Sequence, residues 1–502
     1  MLSPINISME SLNLMTLAPM LIPVIGALLI LVIDIAKSGL HKSLYVVLSL
    51  LFLAMDFATV VDSSGIFKAN GTLMGVFDVM LIDGLAILSQ FVIVGASMLF
   101  IPLAMTHKRF HEFSYPEFFA LFLFMVAGLQ FMAASDNLIL IFVGLETSSL
   151  ALYTLIALHN RANSFEAAVK YFTMGALAAA FYAMGSAILY GLTGSVELYK
   201  IAEVLALRLN EADIMIAVFG GAVMLLVSFA FKLSLYPFHS WAPDVYEGSS
   251  ASLAGYMSVV PKVAAMVVTV RVLGMYIDLG VEWVRDIVLA LAVITMTLSN
   301  IMALVQEDVK RMLAYSSISH AGFIMAAIGL DTTEGTTAIF LYYTLFLFTN
   351  LGAFSMLWVS RHKVKKYSDR YDHPYEKFAG LIHIMPMGAV IMALFMLSLA
   401  GVPPFSVFWG KIYVMQAAVN SGYIWLALVM GINSAISAYY YLKLVVYMFL
   451  KEPTKDTNTV YYNLSKPLMA VIGLATVATI TAVMYVQPLI SYIYYMVSAS
   501  GY

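Results

Sequence analysis

The chain has 502 residues, of which 62% are hydrophobic and 11% charged, with a net charge of −3. A soluble domain averages about 45–50% apolar and about 25% charged residues, so this composition describes a polytopic membrane protein. The negative balance argues against nucleic acid as a partner, and the absence of cysteine removes disulfides, thiolate-held zinc and cysteine-ligated iron–sulfur clusters.

The first residues, MLSPINISMESLNL, lack a basic segment, so a cleaved signal peptide is not expected. Fourteen apolar spans follow, each near the roughly 20 residues a helix needs to cross a bilayer. They cover 14–36, 43–62, 82–105, 116–134, 137–158, 165–192, 213–243, 250–278, 283–305, 309–330, 335–360, 379–419, 424–450 and 467–497. The predicted fold class is therefore an all-α polytopic membrane protein.

Basic residues gather in alternate loops: Lys37 and Lys42; Lys108 and Arg109; Arg161; Lys310 and Arg311; Arg361, Lys363, Lys365, Lys366, Arg370 and Lys377; Lys451, Lys455 and Lys466. The opposite loops hold Lys68, Lys200, Arg208 and Arg285. The positive-inside rule places the first set in the cytoplasm and both termini on the outer side. The loop 361–378 is the most charged stretch and reads as a solvated surface or a docking surface for a neighbouring subunit.

Span 379–419 is too long for one ordinary helix and contains GVPPF at 401–405. It is either one broken helix or two spans. The basic residues favour one, because two would carry Lys451, Lys455 and Lys466 outside. The seventh span breaks at Pro237–Phe238 and the twelfth at Pro404–Phe405, with Trp241 and Trp409 following. Each broken span is fourth in a block of five, spans 4–8 and 9–13. Five is odd, so the second block would enter the membrane inverted, the pattern of inverted-repeat transporters; the alternative is two unrelated proline kinks. This divides the chain into 1–115 (spans 1–3), 116–278 (spans 4–8), 279–423 (spans 9–12) and 424–502 (spans 13 and 14).

Six basic residues fall inside spans: Lys170, Lys232, Lys262, Arg271, Lys411 and Lys443. Arg271 and Lys443 are near helix ends and are expected to snorkel to the headgroups. Lys170 lies about a turn and a half inside its span, where snorkelling and function are both open. Lys232, Lys262 and Lys411 are deeper, and a charge there costs at least roughly 2.5–3.5 kcal/mol. Glu146, in GLETSSL, is the acid expected at comparable depth in the neighbouring spans. A nearby carboxylate favours the charged lysine and burial opposes it, so opening and closing a Glu146–Lys232 pair would act as a proton switch. His239 and His320 can extend such a path, or serve as hydrogen-bonding packing residues. Ser316, Ser317 and Ser319 beside His320 can hold ordered water. No phosphate loop, dinucleotide fingerprint, flavin signature or haem-ligand pair is found.

These residues carry a resemblance. GLE at 144–146, FKLSLYPFHSWAPDVYEG at 231–248, PK at 261–262, KRMLAYSSISHAGF at 310–323 and LAGVPPFSVFWGKIYV at 399–414 resemble the antiporter-like subunits of respiratory complex I and the related Mrp-type cation/proton antiporters. The resemblance spans both halves of the chain. Within the group, PDVYEG, lysine at 411 and no long extension after the last span single out one of the three complex I subunits. The resemblance implies fourteen helices with two inverted five-helix repeats. It implies Glu146 as the acid of a charge pair, Lys232 as its partner, Lys262 as a relay and Lys411 as the terminal lysine. Lys170, His239 and His320 would be secondary. It also implies other membrane-arm subunits as partners, no cofactor on this chain, and FMN, iron–sulfur clusters and quinone in other subunits.

Overall fold

A computed structural model of the chain describes all residues except 1–12, 38, 77–78, 106–111, 209–211, 363–372, 454–459 and 463. The expectations placed on residues 1–12, on Lys108, Arg109, Lys363, Lys365, Lys366, Arg370 and Lys455, and on most of the loop 361–378 lie outside the described residues.

The apolar runs fold as helices because a bilayer offers no partner for a bare peptide group. In chain order they are α1 (Ala18–Ala36), α2 (Lys42–Asn70), α3 (Gly84–Phe100), α4 (Pro116–Ala133), α5 (Leu138–Ala157), α6 (Ala162–Thr193), α7 (Leu198–Arg208), α8 (Ala212–Leu233), α9 (Trp241–Gly248) and α10 (Ala251–Met257). Then come α11 (Val260–Asp278), α12 (Glu282–Leu304), α13 (Val309–Leu330), α14 (Thr333–Val359), α15 (Pro386–Ala400), α16 (Ser406–Asn420), α17 (Ile424–Leu450), α18 (Lys466–Ile480) and α19 (Ala482–Ser498). Side chains that accept from the first free amides start several of them: Asp83 from Ala86 N at 2.8 Å, Asn137 from Ile139 N at 2.9 Å, and Asp308 from Arg311 N at 3.0 Å. Proline opens α4, α15 and α18, where its missing N–H costs nothing. Strands among the described residues are two short antiparallel pairs, Leu73–Gly75 with Met80–Ile82 and Ser360–His362 with Val460–Tyr462.

The chain is an all-α multi-pass membrane protein. Among the described residues twelve helices are long and apolar enough to cross a membrane, or thirteen if the bent α18–α19 pair counts as one span. The apolar stretches of the spans Ala251–Asp278 and Val309–Leu330 are enclosed by protein, whereas α1, α2, α6 and α17 leave most of their apolar faces outward. The centre is thus α10–α11, α13 and α14, ringed by helices that meet lipid. Close backbone approach holds part of the ring. A Cβ on Gly144 would come within 2.6 Å of Gly128 O, so α4 and α5 touch through two glycines.

Four expected spans differ in detail. The seventh ends at Leu233, before Pro237 is reached, and the chain runs non-helically to Trp241. The eighth divides at Ser258 and Val259, so Lys262 is the third residue of α11 rather than deep within one helix. The twelfth is a short turn, Leu381–Ile384, followed by α15 and α16 on either side of 401–405. The fourteenth is bent by 78° between α18 and α19. Pro488 lies inside α19, seven residues past that bend, and does not cause it.

Both broken helices end the same way. At the first break, Leu235 N donates to Ala230 O (2.7 Å) and Ser234 N to Phe231 O (3.0 Å), with Ser234 at φ 62°. At the second, Val402 N donates to Leu397 O (3.0 Å) and Gly401 N to Ser398 O (2.9 Å), with Gly401 at φ 89°. This left-handed cap satisfies some, not all, of the last carbonyls. The tryptophans after each break reach back: Trp241 Nε1 donates to Phe231 O at 3.0 Å and Trp409 Nε1 to Pro404 O at 3.3 Å.

Candidate functional site

The breaks position two lysines. Lys232 is the second-last residue of α8, in its last turn. It is 4% exposed, and Nζ donates to Ser149 Oγ on α5 at 2.7 Å. Ser149 stands one turn beyond Glu146 on the same helix face. The Glu146 and Lys232 charges interact, yet they are farther apart than the 4.0 Å of an ion pair. Glu146 Oε1 is buried without a hydrogen-bond partner among the described residues. The structure therefore holds the expected pair open, with the ammonium on Ser149 instead of on the carboxylate.

Lys411, 3% exposed, comes from α16 and turns back across the second break. Its Nζ donates to Leu399 O (3.1 Å) and Ala400 O (3.2 Å), the last carbonyls of α15 that the cap leaves free. Both lysines thus belong to a broken helix, Lys232 in the last turn before its break and Lys411 reaching back from the segment after its break to the negative end of the segment before. Around the second break Thr349 Oγ1 lies 2.8 Å from Ser406 Oγ and 3.1 Å from Ser398 Oγ and Thr479 Oγ1. These four hydroxyls are buried beside the break, whose own residues Val402, Pro403 and Pro404 are exposed.

Lys262 and His320 occupy the space between. Lys262, 2% exposed, donates from Nζ to Ser317 Oγ (3.0 Å) and Ser317 O (3.1 Å) on α13. It stands at the positive start of α11, with no carboxylate within ion-pair distance among the described residues. His320, less than one turn along α13, feels the charges of both Lys262 and Lys411. Its Nδ1 meets Tyr342 OH at 2.5 Å and its Nε2 meets Tyr441 OH at 3.1 Å; Tyr441 OH also contacts Ser316 Oγ. From Lys232 toward Lys262 runs a buried aromatic series. Tyr171 lies 5.9 Å from Lys232 Nζ and stacks on Trp241 at 4.3 Å, and Trp241 meets Tyr246 edge-on. Tyr246 OH donates to Met257 O at 3.5 Å, and the next residue, Ser258, accepts through its carbonyl at 3.4 Å from Ser317, which holds Lys262.

The structure thus brings together Glu146 with Lys232, and Lys262 with His320 and Lys411. Two further candidates stand apart. Lys170 is on the rim: its side chain is 42% exposed and pairs with Glu166 (2.8 Å) and Asp244 (2.9 Å). Asp244 also accepts from Arg311 at 2.9 Å, so Lys170 belongs to a surface ion network rather than to the buried row. His239 lies half-buried in the first break with its ring 5.1 Å from that of Tyr236.

A match to a family model covers residues 135–437, described as the transmembrane region of NADH:quinone oxidoreductase and Mrp antiporters. NADH-quinone oxidoreductase subunit N of Sulfurovum sp. (strain NBC37-1) is 75% identical over 502 residues, 100% of both chains. The chain belongs to the NADH:quinone oxidoreductase/Mrp antiporter transmembrane family. Its membrane fold recurs in solved structures. A chain of respiratory complex I from Thermus thermophilus with bound aureothin superposes with a TM-score of 0.76 at 27% identity, covering 94% of this chain and 99% of that one. A chain of the Mrp complex from Dietzia sp. DQ12-45-1b gives a TM-score of 0.83 at 20% identity, over 97% of each chain, which is a likeness of fold.

Three buried charges in this family member escaped the sequence reading or were misplaced by it. Arg271 does not snorkel. It is 3% exposed and holds Asp83 through two 2.8 Å bonds, with Ala133 O at 3.4 Å and Tyr502 OH at 3.3 Å. The signal was an acid at the start of the third span, at the helix-cap position. Asp56, fully buried in α2, accepts from Gln130 Nε2 at 2.8 Å; one acid in the run LFLAMDFATV was its signal. Lys310, assigned to a loop, is 3% exposed and donates to Glu247 O at 2.9 Å. Lys443 is closer to expectation, donating to Gln306 O at 3.3 Å over the Tyr375 ring.

Proposed function

We propose that this chain is the N-type, proton-translocating membrane-arm subunit of an NADH:quinone oxidoreductase, carrying protons along a buried lysine row. The observation that carries the reading is the enclosure of Lys232, Lys262 and Lys411 by protein, each on hydroxyl or carbonyl oxygens instead of a carboxylate. Burying an ammonium without a counter-charge is costly, so the proton on such a lysine is held loosely enough to move.

In this scheme a proton from the cytoplasmic side reaches Lys232, passes toward Lys262, crosses the His320 hydroxyl cluster and leaves from Lys411. Electron transfer in other subunits drives Glu146 and Lys232 together and apart. At 4 Å and an effective dielectric of 20 their attraction is about 4 kcal/mol, enough to move a proton affinity by a few powers of ten. Spans 4–8 and 9–13 would form two inverted repeats, with fourteen spans in all. FMN, iron–sulfur clusters and quinone would reside in partner subunits; this chain has no cysteine to ligate a cluster. The complex would sit in a bacterial inner membrane, both termini of this chain outside. An Mrp-type antiporter shares the fold, but the 75% identical relative carries the quinone-oxidoreductase name.

The test is Lys262→Met in the whole complex, reconstituted in vesicles. The expected result is an assembled complex that still passes electrons from donor to quinone while moving fewer protons per electron. Unchanged proton movement would refute the relay. Sodium-driven proton exchange without an electron donor would favour the antiporter.

A further inference from the structure

The bend between α18 and α19 opens a cleft in the side of the molecule. It is a cavity of about 590 Å³ whose walls come from α2, α3, α14 and the two arms of the bent pair. Its surface is almost wholly apolar, with Leu474 on one arm and Leu489 on the other. The cleft reaches the centre of the fold. Between Gly335 and Val359, α14 is buried except at Thr344 and Phe348, and both face this cleft. On the opposite wall a Cβ on Gly95 would meet nothing within 4 Å. The polar end is at Tyr492, which lines the cleft and bonds Ser64 Oγ through its hydroxyl at 2.9 Å. Exposed Lys68 stands over the Tyr492 ring at 4.8 Å. Among the described residues no carboxylate lies within 4.0 Å of Lys68.

We propose that this cleft binds one glycerophospholipid, its acyl chain along Gly95 and Phe348 and its phosphate on Lys68. An apolar slot ending at a cation on the membrane rim matches an amphiphile with a long tail and an anionic head. The head separates it from the other occupants of a bilayer. A quinone tail would fill the slot but gives Lys68 no anion. A helix from another subunit is too thick: at about 10 Å across, only one or two turns fit such a volume. The lipid covers the one opening through which α14, beside the buried hydroxyls of the second break, meets the bilayer. It keeps water and stray lipid motion away from that helix.

The test uses the whole purified complex in nanodiscs containing a phospholipid with a photoactivatable group at its chain end. Labelling of peptides from α3 and α14 is expected. Gly95→Phe, whose Cβ would start in open space and whose ring would occupy the slot, is expected to cut that labelling by about tenfold or more, since displacing a few methylene groups suffices for this. Lys68→Gln is expected to cut it by about two- to fivefold, as for an exposed charge pair. Both variants should assemble and transfer electrons at the normal rate, and each complex should lose bound phosphorus on delipidation more readily. Equal labelling in Gly95→Phe overturns the proposal. So does preferential labelling by a photoactivatable prenyl quinone, or a cross-link from position 95 to another subunit.

Discussion

Lys232 Nζ lies 2.7 Å from Ser149 Oγ, one helical turn from Glu146, and stays outside ion-pair distance of the Glu146 carboxylate. A serine at that point gives the ammonium a second resting place. Ser149→Ala removes a hydrogen bond to a charged donor, about 1.5–3 kcal/mol. The expected outcome is a shift of roughly tenfold to a hundredfold toward a closed Glu146–Lys232 pair. Microscopy of the variant complex should find Nζ within 4 Å of the carboxylate, and proton movement per electron should fall. An ammonium still turned away from Glu146 would refute the two-position switch.

Lys411 separates structure from proton transfer. Lys411→Met leaves two carbonyls of α15 without a donor, at about 1–3 kcal/mol for each group left unsatisfied. Thermal unfolding of the complex should begin at lower temperature. Lys411→Arg keeps donors for those carbonyls but cannot release a proton. It should retain more of the thermal stability and lose proton movement. Normal pumping by the arginine variant would exclude Lys411 from the relay.

Arg271 and Asp83 form a buried ion pair with no link to the lysine row. Arg271→Met leaves Asp83 uncompensated, a loss of about 3–5 kcal/mol. The single variant should fail to accumulate in the membrane. Adding Asp83→Asn, which keeps an N-capping side chain for α3, should restore most of the assembled complex. Quantitative immunoblotting of membranes checks both; a double variant as poor as the single would contradict an isolated pair.

Asp331 gives a pH dependence outside the spans. Burial, with Asp278 adding to it and Arg285 opposing it, pushes its carboxyl up to about 6. The folded chain therefore holds a proton that the unfolded chain releases nearer its usual value of about 3.9. Its unfavourable contribution is absent below about pH 4, grows between about 4 and 6, and is complete above. Asp331→Asn should stabilise the complex by about 1–2 kcal/mol at neutral pH, after allowing for partial exposure to water, and not at all at pH 4. Asparagine also suits the left-handed cap at φ 50°. Melting curves across that range test it; a gain that persists at pH 4 would point to the cap alone.

The sequence by itself determined the membrane class, the approximate spans and the deep lysines. Long apolar runs and rare charges are properties of the local chain, and the bilayer penalises each without reference to neighbours. It also placed the two breaks within a few residues, because proline and glycine act on their own backbone. Only the tertiary structure decided what each charge meets. Arg271 and Lys443 look alike in sequence near helix ends; one is locked to an acid 188 residues away and the other reaches a carbonyl at the rim. The open Glu146–Lys232 pair, the carbonyls under Lys411 and the bend that makes the side cleft have the same origin. A partner's distance is set by how helices pack, and no local pattern encodes which face of one helix turns toward another.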